Sequence, residues 1–83
     1  MAEFLVEVYV ARDDHRTARE IAAAARAVDG TPASGRSVRC LRSIFVPEDE
    51  TCFLLFEAPS ADAVGDAVRR AGLLPDHISA AVS

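Results

Sequence analysis

The run Val38-Arg39-Cys40-Leu41-Arg42-Ser43-Ile44-Phe45-Val46, the acids and proline of Pro47-Glu48-Asp49-Glu50, and the run Thr51-Cys52-Phe53-Leu54-Leu55-Phe56-Glu57 together decide the fold. β-Branched and aromatic side chains suit a pleated surface, whereas proline and clustered acids suit a turn. The stretch therefore predicts a hairpin with strands over 38–46 and 51–57. A strand with one wet face should alternate apolar and polar residues. The second of these strands does not, because Cys52, Phe53, Leu54, Leu55 and Phe56 are all apolar. In the first, alternation places Val38, Cys40, Ile44 and Val46 on one face and Leu41 and Phe45 on the other.

Outward from the hairpin, residues 30–37 hold Gly30, Pro32, Ser34 and Gly35 and read as a loop. Before it, Ala18, Ile21, Ala25 and Val28 recur at helical spacing. A helix is expected to run to about Val28, with Asp13 or Asp14 as its N-cap and Gly30 as its stop. Residues 4–10 read as a strand, with Phe4, Val6, Val8 and Val10 on one face and Leu5, Glu7 and Tyr9 on the other. After the hairpin, Pro59-Ser60 opens a second helix capped by Ser60. Asp62 suits its positive start, and Arg69 and Arg70 suit its negative end. Its buried stripe is Ala63, Val64, Ala67, Val68 and Ala71, Gly72 closes it, and 78–82 form a short last strand.

The order is strand, helix, strand, strand, helix, strand. Right-handed crossovers put both helices on one side of the sheet. The predicted fold class is α+β, a ferredoxin-like βαββαβ domain over residues 1–83. Its four antiparallel strands take the order 4-1-3-2, with two helices on one face. The other face would then carry an unusual apolar patch, and such patches mark interfaces. A homodimer through that open face is expected.

Bulk properties narrow the partners. The chain has 83 residues, a net charge of −4, and nine cations that are all arginine. A chain of this size buries only about 60% of its unfolded surface, which favours association. Its acidity and scattered arginines argue against nucleic acid as a partner. No apolar run approaches the roughly 20 residues of a membrane helix, and no basic-then-apolar leader opens the sequence. The two cysteines show neither a CxxC pair nor zinc-like spacing with histidine. A cytoplasmic protein with reduced thiols and no membrane partner is expected, with Cys40 and Cys52 packing as small hydrophobes rather than forming a disulfide.

The predicted strand order has a chemical consequence. It sets the end of the first strand beside the starts of the third and fourth. Asp13, Asp14, His15, Glu48, Asp49, Glu50, Cys52, Asp76 and His77 all fall at that end. Imidazole with carboxylate is a ligand set for nickel, zinc, copper or iron. His15, His77, Asp14 and Asp76 are the candidate metal ligands. Each also has an ordinary alternative as a helix cap, a turn or a loop residue. Glu7, mid-strand on the open face, is either a carboxylate of raised pKa or the partner of Arg39 or Arg42. No nucleophile–base–orienter set, phosphate loop or dinucleotide fingerprint is present, so no catalytic residue is assigned.

The C-terminal half carries a resemblance. Val38-Arg39-Cys40-Leu41-Arg42-Ser43, Phe45-Val46-Pro47-Glu48-Asp49, Cys52-Phe53, Leu55-Phe56-Glu57-Ala58-Pro59-Ser60 and Arg70-Ala71-Gly72-Leu73, with the opening Phe4-Leu5-Val6-Glu7, resemble a bacterial family of small ferredoxin-like domains of unknown function. One actinobacterial member of that family binds and responds to nickel. The resemblance implies a dimeric α+β fold and a divalent transition metal, nickel, as ligand. The chain departs from the family pattern at Cys40, where many members carry an aromatic residue, and at Ala81-Val82-Ser83, where many carry a histidine. The expected function is a small, dimeric, nickel-responsive metal-binding protein without catalytic activity. Two alternatives stay open: a cofactor-free enzyme or small-molecule binder of the dimeric α+β barrel type, and a purely structural interaction domain.

Overall fold

The computed structural model describes residues 2–28 and 38–82. The predicted stop at Gly30 and loop over 30–37 lie outside the described residues. The elements are β1 (Ala2–Tyr9), α1 (His15–Ala27), β2 (Arg39–Val46), a 3-10 turn (Pro47–Asp49), β3 (Thr51–Ala58), α2 (Ala61–Arg70) and β4 (His77–Ala81). The strands form one antiparallel sheet in the order β2-β3-β1-β4. The ferredoxin-like α+β arrangement expected from the sequence is the one observed.

Local chemistry sets the element ends. Of the two acids before α1, Asp14 is the cap. One of its carboxylate oxygens accepts the Thr17 amide at 3.1 Å and the other accepts the Thr17 hydroxyl at 2.6 Å. At α2, the Ser60 hydroxyl accepts the Ala63 amide at 3.2 Å. The far end of α2 closes on Gly72 at φ +86°, a conformation that side chains disfavour. The Leu73 amide reaches back to the Val68 carbonyl at 2.9 Å, and Leu73 is buried over the end of the helix. β4 starts one residue before its predicted position. The reason lies in Asp76, whose amide donates to the Glu7 carbonyl at 2.8 Å while its carboxylate accepts the Tyr9 amide at 2.6 Å. These two bonds dock the chain against β1 before His77 is reached.

The core lies between the sheet and the helices. Phe4, Val6 and Val8 of β1 and Cys52, Leu54, Phe56 and Ala58 of β3 face the helices and are buried. Ala18, Ile21, Ala25 and Val28 from the first helical segment meet them, as do Ala63, Val64 and Val68 of α2. Ala67 and Ala71 lie half-buried at the edge of the stripe. A side chain of Leu or Phe size that is fully removed from water contributes about 1.5–3 kcal/mol. Burial along β3 alternates strictly although its sequence does not. The half-buried Phe53 and Leu55 therefore belong to the open face, beside Leu5 of β1.

β2 corrects one expectation. The pairing of β2 with β3 shifts between Cys40 and Arg42, which leaves Leu41 as an extra residue. A one-residue insertion flips every later side chain to the other face. Cys40, Ser43 and Phe45 thus all register with helix-facing residues of β3, namely Phe56, Leu54 and Cys52. Arg42, Ile44 and Val46 register with Leu55, Phe53 and Thr51 on the open face. Cys40 does not share a face with Ile44 and Val46, and Phe45 is not opposed to Cys40. Glu7 is corrected as well. Its neighbours in register are Phe53 and His77, while Arg39 lies opposite Glu57 and Arg42 opposite Leu55.

The packing makes a graded prediction for stability. Leu54 is 0% exposed and Leu74 is 81% exposed. Leu54→Ala is expected to cost about 2–5 kcal/mol. Ser60→Ala should cost about 1 kcal/mol through loss of the cap, and Leu74→Ala should stay within about 0.5 kcal/mol of the parent. Urea denaturation followed by circular dichroism measures all three, and a different ranking would contradict the packing described.

Candidate functional site

The end of the sheet where β1 stops is tied together by acids. Beyond the Asp76 bonds, Glu50 closes the turn between β2 and β3 in a left-handed conformation, φ 48° and ψ 45°. Its carbonyl accepts the Val10 amide at 3.0 Å. Its carboxylate accepts the Arg12 amide at 3.2 Å and lies 3.4 Å from the Tyr9 hydroxyl. Glu50 and Asp76 thus hold three segments together: the β2–β3 turn, the exit from β1 and the entry to β4. Nothing in the sequence pattern singles out Glu50 among the three acids of its turn.

The four candidate ligands form two separate pairs. His77 opens β4 at the sheet edge, opposite Glu7 on the open face. Asp76 precedes it. Asp14 and His15 lie at the start of α1, on the helix side. The His15 ring meets Phe45 of β2 edge-on, with centroids 5.6 Å apart and planes at 89°. β2 and β4 are opposite edges of a four-stranded sheet. Three inter-strand steps of about 4.8 Å separate them by roughly 14 Å. His15 and His77 therefore share an end of the sheet but neither a face nor an edge. Among the described residues, no three His, Cys, Asp or Glu side chains come together as a group able to hold a metal ion.

The remaining titratable groups are set by their surroundings. The Asp14 carboxyl is held below its ordinary value of 3.8, first by the Thr17 hydroxyl and then by the Thr17 amide. Burial pushes the Cys52 thiol up, and nearby Cys40 adds to this. Thiolate is the ligating and nucleophilic form, so Cys52 at 1% exposure is a poor ligand. Both cysteines are free, and the Cys40 thiol donates to the Arg42 carbonyl at 3.6 Å. The expected packing role fits both residues.

A cavity of about 240 Å³ lies between the first half of α1 and β2. His15 and Cys52 line it together with Ala18, Arg19, Ala22, Ser43, Ile44 and Phe45. Ser43 and Phe45 reach the helix side through the regular pairing next to the turn, opposite Leu54 and Cys52. Among the described residues, no helix is long and apolar enough to cross a membrane.

Comparison with known proteins adds to this geometry. The family described as nickel responsive protein SCO4226-like matches residues 4–80. The chain belongs to the SCO4226-like family. Its fold is similar to that of the crystal structure of SCO4226 from Streptomyces coelicolor A3(2), with a TM-score of 0.65, 24% identity and 99% of each chain covered. No sequence among the curated proteins matches the chain. The family match extends the resemblance seen in the opening strand, the hairpin and the second helix to nearly the whole chain, α1 included.

Asp14 gives a pH prediction. Its pKa is lower folded than unfolded, so its contribution to stability is present above its ordinary 3.8 and is lost as pH falls through the lowered value. Asp14→Ala lacks that contribution at every pH. The stability difference between parent and variant, measured by denaturation, is expected to be constant from neutral pH to about 5 and to shrink below 3.8. A difference that grows on acidification would contradict the cap.

Proposed function

We propose that this protein is a nickel-responsive metal-binding protein of the cytoplasm, without catalytic activity, acting as a homodimer. Membership of the SCO4226-like family over residues 4–80 is the observation that carries this reading. The donor chemistry supports it, since imidazole and carboxylate suit nickel. The pairs Asp76–His77 and Asp14–His15 are the proposed ligands. Each pair is incomplete by itself, so a second copy or solvent must supply the other donors. The open sheet face supports the second copy. Leu5, Phe53, Leu55, Ile44 and Val46 form an apolar patch across three strands, with Ile44 47% exposed and Tyr9 62% exposed at its margin. His77 and Glu7 border the same face. A second copy laid on it would bring a second imidazole and carboxylate towards the interface.

Calorimetric titration with Ni²⁺ tests the ligands. Removing a first ligand is expected to weaken binding by more than the roughly 10–100-fold typical of an outer partner. His77→Ala and His15→Ala, singly and together, report on each pair. Unchanged binding in the double variant overturns the ligand assignment, and absence of Ni²⁺ binding by the parent overturns the metal reading. Analytical ultracentrifugation tests the assembly. A dimer at micromolar concentration that Leu55→Glu dissociates is expected, and a monomeric parent ends that part of the proposal.

A further inference from the structure

We propose that the cleft between α1 and β2 binds a small aromatic carboxylate. This site is separate from the Asp76–His77 pair, shares His15 with the Asp14–His15 pair, and does not depend on the metal reading. Its lining includes the small residues Ala18 and Ala22 of α1 and Ser43 of β2. His15, Arg19 and Ala22 lie at positions i, i+4 and i+7 and form the flank of α1 towards the β2 edge. Below them, Ser43 and Phe45 face the helix and Cys52 is buried. The opening, about 240 Å³, is a surface cleft beside core residues at 0% exposure. It is smaller than the roughly 300–1,000 Å³ of drug-sized sites, which limits the occupant to about one ring.

The lining selects the chemistry. The protein has 13 acids and a net charge of −4, yet among the described residues no Asp or Glu lines the cleft. The polar residues that do line it are Arg19, His15 and Ser43. Elsewhere on the helices, Arg16 pairs with Glu20 at 3.8 Å and Arg70 with Asp66 at 3.3 Å. Arg19 makes no ion pair among the described residues. A planar guanidinium matches a carboxylate through two parallel hydrogen bonds. Phe45 and Ala22 offer an apolar wall, and the edge-on contact of His15 with Phe45 leaves ring surface at the rim. An anion at Arg19 with a ring against Phe45 satisfies both halves of the lining.

Benzoate is the probe, followed by amide chemical shifts in the full chain. Benzoate is expected to move the amides of Arg19, Ser43, Phe45 and Cys52 in a saturable way. Arg19→Gln should weaken binding by about tenfold or more, the scale of one charge-assisted contact. Benzyl alcohol, which lacks the charge, and acetate, which lacks the ring, should each bind more weakly than benzoate. Ala22→Leu should fill the cleft and abolish the shifts while the rest of the spectrum stays native. No saturable shift at millimolar benzoate overturns the proposal. So do shifts confined to other faces, equal binding of benzyl alcohol, or full binding by Arg19→Gln. Nickel is absent throughout, so failure of this site and failure of the metal reading are read separately.

Discussion

The antiparallel pairing of β1 with β3 is the constraint from which the rest of the molecule follows. It runs without interruption from Ala2 opposite Ala58 to Tyr9 opposite Thr51. Side chains on a strand alternate with a period of two, so one register assigns every side chain of both strands to a face. Phe4 with Phe56, Val6 with Leu54 and Val8 with Cys52 go to the helices. Leu5 with Leu55 and Glu7 with Phe53 go to the open face. A slip of one residue would drive Glu7 into the core and expose Val6, at a cost that no local gain offsets. The two helices then have one apolar surface to cover, and the outer strands have two fixed edges to join.

The edges are joined by different means, and this shapes the chemistry of the end where β1 stops. β4 is docked by Asp76, whose carboxylate takes the place of a backbone acceptor for the Tyr9 amide. The turn into β3 is docked by Glu50, held in a left-handed conformation that costs an ordinary residue about 1–2 kcal/mol. The bonds to Val10 and Arg12 offset that cost. The acids gathered at this end are therefore divided in their roles. Asp14, Glu50 and Asp76 bond to backbone amides, while His77 stands beside Glu7 at the border of the open face. The structural bonds and the proposed ligands draw on the same short list of residues.

Much of this was legible in the sequence. The caps at Asp14 and Ser60, the closing Gly72 and the stripe Ala18, Ile21, Ala25 and Val28 follow from residue type and spacing, which act over a few positions. The strand order followed from the handedness of crossovers, and with it the end of the sheet that holds both histidines. The arrangement within that end was not legible. Which edge a histidine occupies depends on pairing partners dozens of residues away, and whether it meets its counterpart depends on the width of the sheet. The shift at Leu41 left no signal either, since Cys40-Leu41-Arg42 contains no glycine or proline to mark it. The cleft under α1 was not legible either, since it depends on how the helix seats against β2 and not on any local pattern.

The irregularity in β2 also bears on how copies of the chain can meet. β2 is an outer strand, and its free side is a row of amides and carbonyls open to pairing with another β-strand. Endless addition of strands along such a row produces fibres. Here the row is broken between Cys40 and Arg42, and Arg39, Leu41 and Arg42 project from it in exposed positions. A straight incoming strand meets a kink and two like charges where it would need a flat ladder. Growth sideways is thereby discouraged, and the flat of the sheet is left as the surface on which the proposed pairing of two copies would close on itself and stop.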